Sequence, residues 1–141
     1  MKKILILAAL MISVLTTAHA ANEGTLTVKM VANKNGAKST FQPATMAFDI
    51  TGDIFSDIIV TIGVAEETID IGDIGTLGYV GVHNLGTNAV TIGPNAPGGT
   101  NVVGLIKLEG GDYGVFRAST NVLRAIATPD VSNVRFLLIE D

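Results

Sequence analysis

A chain of 141 residues with nine Lys and Arg, thirteen Asp and Glu, a formal charge of −4 and no cysteine has the length of one domain. Its acidic balance argues against a nucleic-acid footprint, which needs clustered Lys and Arg. The lack of thiols removes disulfides, thiolate metal sites and thiol nucleophiles.

The first twenty residues have the layout of a secretory leader. Lys2 and Lys3 make a basic start, Ile4 to Val14 is almost wholly apolar, and Ala18 and Ala20 are small. The apolar run is shorter than the ~20 residues of a membrane span, and no later segment resembles one. No membrane association is expected after cleavage. Cleavage after Ala20 would remove Lys2 and Lys3 and leave residues 21–141, with seven cations against thirteen carboxylates and a formal charge of −6. A chain of that size buries roughly two-thirds of its unfolded surface and holds a core without staples.

Beyond the leader, period-2 alternation dominates and no segment carries a helical stripe. Leu26, Val28 and Met30 alternate with Thr25, Thr27 and Lys29, and NKNG (33–36) supplies an Asn-Gly turn. The segment 33–44 reads as an irregular crossover of the sort that links non-neighbouring strands in Greek-key sheets. Met46, Phe48 and Ile50 alternate next, with Phe48 toward the core. The nearly continuous apolar run DIIVTIG (57–63) predicts a strand buried on both faces or paired near the sheet centre. Further strands are predicted over 67–71, 77–84, 88–93, 102–108, 112–117, 122–127 and 134–140, with Phe136 in the core. About ten short strands, with breakers every 8–12 residues or so, predict a single all-β antiparallel domain, a sandwich or small barrel, over 21–141. The repeated VTIG at 60–63 and 90–93 marks two equivalent strand ends.

Candidate sites are few. Gly72, Gly75 and Gly78 suggest a phosphate cradle, but such a loop must feed a helix N-terminus, and here the glycines lead into the strand LGYVGVHNL. They are read as a turn that needs positive φ. Asp49, Asp53, Asp57, Glu66, Glu67, Asp70 and Asp73 lack the spacing of a calcium loop and are read as a solvated rim. His83, the one histidine beyond the leader, has no serine in a nucleophile-elbow motif to serve. No catalytic, cofactor-binding or metal-ligating residue is assigned, and no cofactor is expected. Arg117 is placed to pair with an acidic residue on a neighbouring strand, and Arg124 faces outward. Arg135, a charge in an otherwise apolar strand, is a candidate interface residue. So are Pro94, Asn95 and Pro97, in GPNAPGG (93–99), which neither helix nor strand can cross.

Taken in order, these motifs resemble a group of small virion structural proteins of tailed bacteriophages. The resemblance runs from GTLTV (24–28) through TMAFDITG and IGDIGTLGYVGVHNLG to a LIKL strand. It continues through a G-acidic-x-x-x-FR turn and strand (110–117) to a final apolar strand ending in Glu140 and Asp141. The resemblance implies a jelly-roll-like β-sandwich without catalytic role, built into a particle as a decoration, fibre or minor head or tail component. It implies a homo-oligomer or particle neighbours as partners, and the virion as location if the chain is phage-encoded. The leader departs from that picture. It points to a secreted, periplasmic or cell-surface protein, and with it to an exported module that binds a glycan or protein ligand through its loops.

Overall fold

The computed structural model describes residues 23–97 and 101–141. The leader and Gly98 and Gly99 of the proline-glycine loop lie outside the described residues. Twelve strands and no helix are present among the described residues: β1 (Gly24–Leu26), β2 (Met30–Lys34), β3 (Ala37–Phe41), β4 (Met46–Phe48), β5 (Phe55–Ile62), β6 (Glu67–Thr68), β7 (Leu77–Asn84), β8 (Ala89–Gly93), β9 (Ile106–Leu108), β10 (Tyr113–Arg117), β11 (Arg124–Thr128) and β12 (Ser132–Glu140). Contacts divide the chain into two compact units, Met1–Asp49 and Ile50–Asp141.

In the first unit β1 pairs antiparallel with β4, and the Phe48 ring occupies the space where a Cβ on Gly24 would stand. Phe48 is therefore half-buried over Gly24 and does not belong to the main core. β2 and β3 form a hairpin with Lys34 opposite Ala37. Asn35 and Gly36 both take positive φ, 51° and 83°, the backbone of a tight turn whose twist matches that of its strands. The irregular crossover expected over 33–44 is thus mostly strand. The Asn-Gly turn folds the chain straight back instead of letting it wander. Val28, Met30, Val31, Phe41 and Met46 of this unit are exposed.

The second unit is a β-sandwich of two four-stranded antiparallel sheets, ordered β10-β7-β12-β5 and β6-β11-β8-β9. Four antiparallel pairs nest inside one another: β5 with β12, β6 with β11, β7 with β10 and β8 with β9. The chain is in effect one long hairpin, turning between β8 and β9, whose ribbon is rolled so that β12 also pairs β7 and β11 also pairs β8. This is the jelly-roll arrangement of two Greek keys.

The core lies between the sheets. Alternation sends Val80 and Val82 of β7, Val90 and Ile92 of β8, Ala125 and Ala127 of β11, and Val134, Phe136 and Leu138 of β12 inward, all buried. The two VTIG copies each place an isoleucine, Ile62 and Ile92, in this core with no exposed surface.

β5 differs from expectation. It ends its sheet rather than lying at the centre or being buried on both faces, and Ile59 is 64% exposed. Its apolar run is nearly continuous because Ile59, an outward position between the inward Ile58 and Val60, is apolar too. The central strand is β12, paired on both sides.

Candidate functional site

Alternation along β10, β7, β12 and β5 leaves a second set of side chains on the outer face of that sheet. Cross-strand pairing arranges them in rows: Tyr113, His83, Arg135 and Ile59 in one, Val115, Gly81, Leu137 and Asp57 in the next. Beyond these lie Arg117 opposite Tyr79, and Phe55 near the end of β5. Phe55 is 72% exposed and Tyr113 78%, and Val115 and Leu137 are also exposed. Gly81 has no side chain to add to its row, so the middle of the face dips into an open depression of about 300 Å³, lined by His83, Tyr113, Val115, Arg135 and Leu137 around it.

The charges on this face are paired with one another. Arg135 donates from Nε to Asp57 Oδ1 at 2.8 Å and from Nη2 to Oδ2 at 2.5 Å, a forked geometry that suits the planar guanidinium. These hydrogen bonds hold the Asp57 carboxyl below its ordinary value. Arg117 lies 5.6 Å from the centroid of the Tyr79 ring, within cation–π range, and forms an ion pair with Asp141, the residue after β12. Its partner is thus beyond the neighbouring strand β7. His83 meets the Tyr113 ring edge-on, with centroids 6.3 Å apart and planes at 89°.

His83 packs on an aromatic ring, and Ser132 points into the sandwich, where its hydroxyl donates to Asn84 Oδ1. Among the described residues no group of three or more His, Cys, Asp or Glu is placed to hold a metal ion. Several carboxylates of the expected acidic rim serve as backbone acceptors instead. Glu67 accepts from the Gly63 amide, Glu66 from Val102 and Asp70 from Gly72. That last bond closes a turn in which Gly72 has φ +63°. Of the three spaced glycines, only Gly72 needs positive φ. Gly75 donates its amide to Glu140 Oε1, and Gly78 lies against the backbone of Ile139.

The sequence-predicted interface residues fall in two places. Arg135 stands on the outer face, paired within its own chain to Asp57. Pro94, Asn95 and Pro97 lie some way along the chain, after β8. There Asn95 bridges Val102 and the Pro94 carbonyl accepts from Val103. Pro94 and Asn95 are half-buried by this closure, while Pro97 is exposed. Arg124 also departs from expectation: it is half-buried, donating to Thr68 Oγ1 and to the Glu66 carbonyl.

Sequence reasoning missed the polar knot at Asn84. This side chain has no exposed surface. Its amide donates to the carbonyls of Asn88, Leu108 and Glu109, and its oxygen accepts from Gly86 N and Ser132 Oγ. The signal was an asparagine two residues before Gly86 at a strand end, a position that favours side-chain-to-backbone bonding. Comparison of the chain with known protein families, with curated proteins and with solved structures finds no match.

Proposed function

We propose that the chain is a non-catalytic structural protein that works by self-association, of the kind built into tailed-phage particles as a decoration, fibre or minor head or tail component. The observation that carries this reading is the outer face of the β10-β7-β12-β5 sheet. Phe55, Ile59, Tyr113, Val115 and Leu137 expose apolar surface together on it, and its charges already satisfy one another. Scattered apolar residues on a surface are ordinary, whereas a contiguous patch marks an interaction site. Strands ~4.8 Å apart rising ~3.3 Å per residue give a four-stranded face of roughly 500 Å² in projection. Two such faces approach the ~1,000 Å² that a specific interface must clear, before side-chain relief is added. Size-exclusion chromatography with light scattering on the full chain is the test. A defined oligomer at micromolar concentration supports the proposal, and a clean monomer throughout removes it.

A second reading, an exported surface or matrix module for a glycan or protein ligand, draws on the leader pattern and on the depression over Gly81. Tyr113 and His83 offer an aromatic wall there beside the Arg135 guanidinium. A Cβ at Gly81 would meet only Leu137, at 3.4 Å, so Gly81→Val fills the depression without breaking the strand. Glycan-array binding by the native chain that is lost in this variant favours the second reading. Equal signals from both remove it.

A further inference from the structure

The sandwich has four sheet edges, and three of them are short or guarded. β6 is Glu67–Thr68, β9 is Ile106–Leu108 with Lys107 at its middle, and β10 is Tyr113–Arg117 with an arginine at its end. β5 is the exception. Phe55 to Ile62 pair with β12 along the whole strand on one side, without a register shift, and the strand ends its sheet on the other. Natural proteins blunt free edges with lysine, proline, bulges or brevity, and β5 has none of these. Its one charge, Asp57, is already held by Arg135. A second observation concerns the core. Ile58 and Val60 of β5 face inward yet stay half-buried, whereas Val80, Val134 and Phe136 on the central strands have no exposed surface. The rim of the core is open along this strand.

We propose that β5 pairs antiparallel with β5 of a second copy, across a two-fold axis at Ile59, joining two four-stranded sheets into one continuous sheet. This rests on the self-association reading and gives it a geometry. A two-fold strand pair sets one residue opposite its own counterpart, and side chains directly opposite must share a face. An axis at Asp57 would oppose two carboxylates, which is destabilising. An axis at Ile58 would set Asp57 against Ile59. An axis at Val60 shortens the ladder and puts Asp57 opposite Gly63.

With the axis at Ile59, the paired stretch is Ser56–Ile62 and like meets like over its middle, Asp57–Thr61, with Ser56 opposite Ile62 at each end. Ile59 faces Ile59, Asp57 faces Thr61, and Ile58 faces Val60, so the half-covered core rims of both copies close on each other. Phe55 then falls opposite Gly63, where an aromatic ring can cover a residue without a side chain.

The test uses the full chain and two single variants, Ile59→Lys and Ile59→Glu. Position 59 is exposed, so both variants are expected to keep the native circular dichroism spectrum and cooperative unfolding, with the melting temperature lowered only by the loss of the dimer. Each alone places like charges about 5 Å apart across the axis and should sediment as a species of half the native mass at the same concentration. Mixed in equal amounts, they should recover the native mass, with the heterodimer seen in native mass spectrometry. A mixture that stays dissociated, or either variant assembling like the native chain, overturns the β5 pairing while leaving self-association through another surface. A native chain that is monomeric throughout overturns both. Should the charged variants misfold, Ile59→Cys replaces them. The chain has no other cysteine, and mild oxidation should give a covalent dimer with Ile59→Cys but not with Val115→Cys, on the opposite edge strand of that sheet. Equal cross-linking of the two would again overturn the pairing.

Discussion

Asn84 is the place where a single substitution should cost the sandwich most. Its amide and carbonyl tie the end of β7 to the Asn88 turn, to the end of β9 and to the start of β12 through five hydrogen bonds, with no part of the side chain exposed. Asn84→Leu keeps the approximate volume and removes every one of these bonds. The Ser132 hydroxyl and the Leu108 carbonyl, whose bonds to Asn84 are buried, would each lose that buried partner. Each such group costs about 1–3 kcal/mol, and the partly buried partners at Asn88, Glu109 and Gly86 add a smaller loss. The sum is about 3–5 kcal/mol, a large share of the ~5–15 kcal/mol that stabilises a domain. For a unit of this size, at roughly 5 °C per kcal/mol, the melting temperature should fall by about 15–25 °C.

Thermal and urea denaturation followed by circular dichroism measure the loss. Removing the orphaned hydroxyl as well, in Asn84→Leu with Ser132→Ala, should cost less than the two single changes added together, because the partners share one network. Asn84→Asp keeps the acceptor for Ser132 and Gly86 but sets a carboxylate oxygen against three carbonyls. It should be as damaging as leucine at neutral pH and milder in acid, where the group regains a donor. A leucine variant within about 1 kcal/mol of the native chain would refute the reasoning, since a buried knot with these partners cannot be lost so cheaply.

Three further outcomes are expected. Because hydrogen bonds from Arg135 hold Asp57 below its ordinary value of 3.8, their contribution is present above that pH and is lost as pH falls through the lower folded value. Asp57→Asn should therefore leave the neutral melting temperature nearly unchanged and flatten its decline below about pH 4, as expected of an exposed pair. Glu140 accepts from the amides of Gly75 and Asp53. Glu140→Ala should destabilise by about 1–3 kcal/mol and speed amide exchange at both positions, which exchange mass spectrometry can follow. Gly36, at φ +83°, should tolerate alanine only at a cost of about 1 kcal/mol, visible as faster exchange across Met30–Phe41 with the sandwich unaffected.

Local pattern carried most of the strand positions and none of their neighbours. β7 was legible because apolar and small or polar residues alternate along it, and β12 because an apolar run follows the Pro129 turn and ends at the acidic Glu140 and Asp141. The same run of apolar residues that marked β5 could not reveal that it ends a sheet, since the number of strands beside it is a property of pairings far along the chain. The 33–44 segment was misread for a related reason: the Asn-Gly turn was visible, but Lys38, Ser39 and Thr40 carry no apolar face to advertise β3. Phe48 fits an alternating pattern whether it packs on the main core or, as found, on a glycine of β1.

The site was less legible than the fold. His83 meets Tyr113 only because β7 pairs β10, and Arg135 meets Asp57 only because β12 pairs β5. Neither partner is within reach along the sequence. Arg135 drew notice as a charge in an apolar strand, and the depression beside it depends on Gly81, which reads locally as one more glycine.

The most direct measurement is hydrogen exchange over Phe55–Ile62 as a function of protein concentration, read by mass spectrometry against Leu77–Asn84 in the same sheet. If β5 meets another copy, its slowest amides should become more protected on going from low to high micromolar protein, while β7 stays constant. Exchange in β5 that is fast and independent of concentration would contradict assembly through this edge.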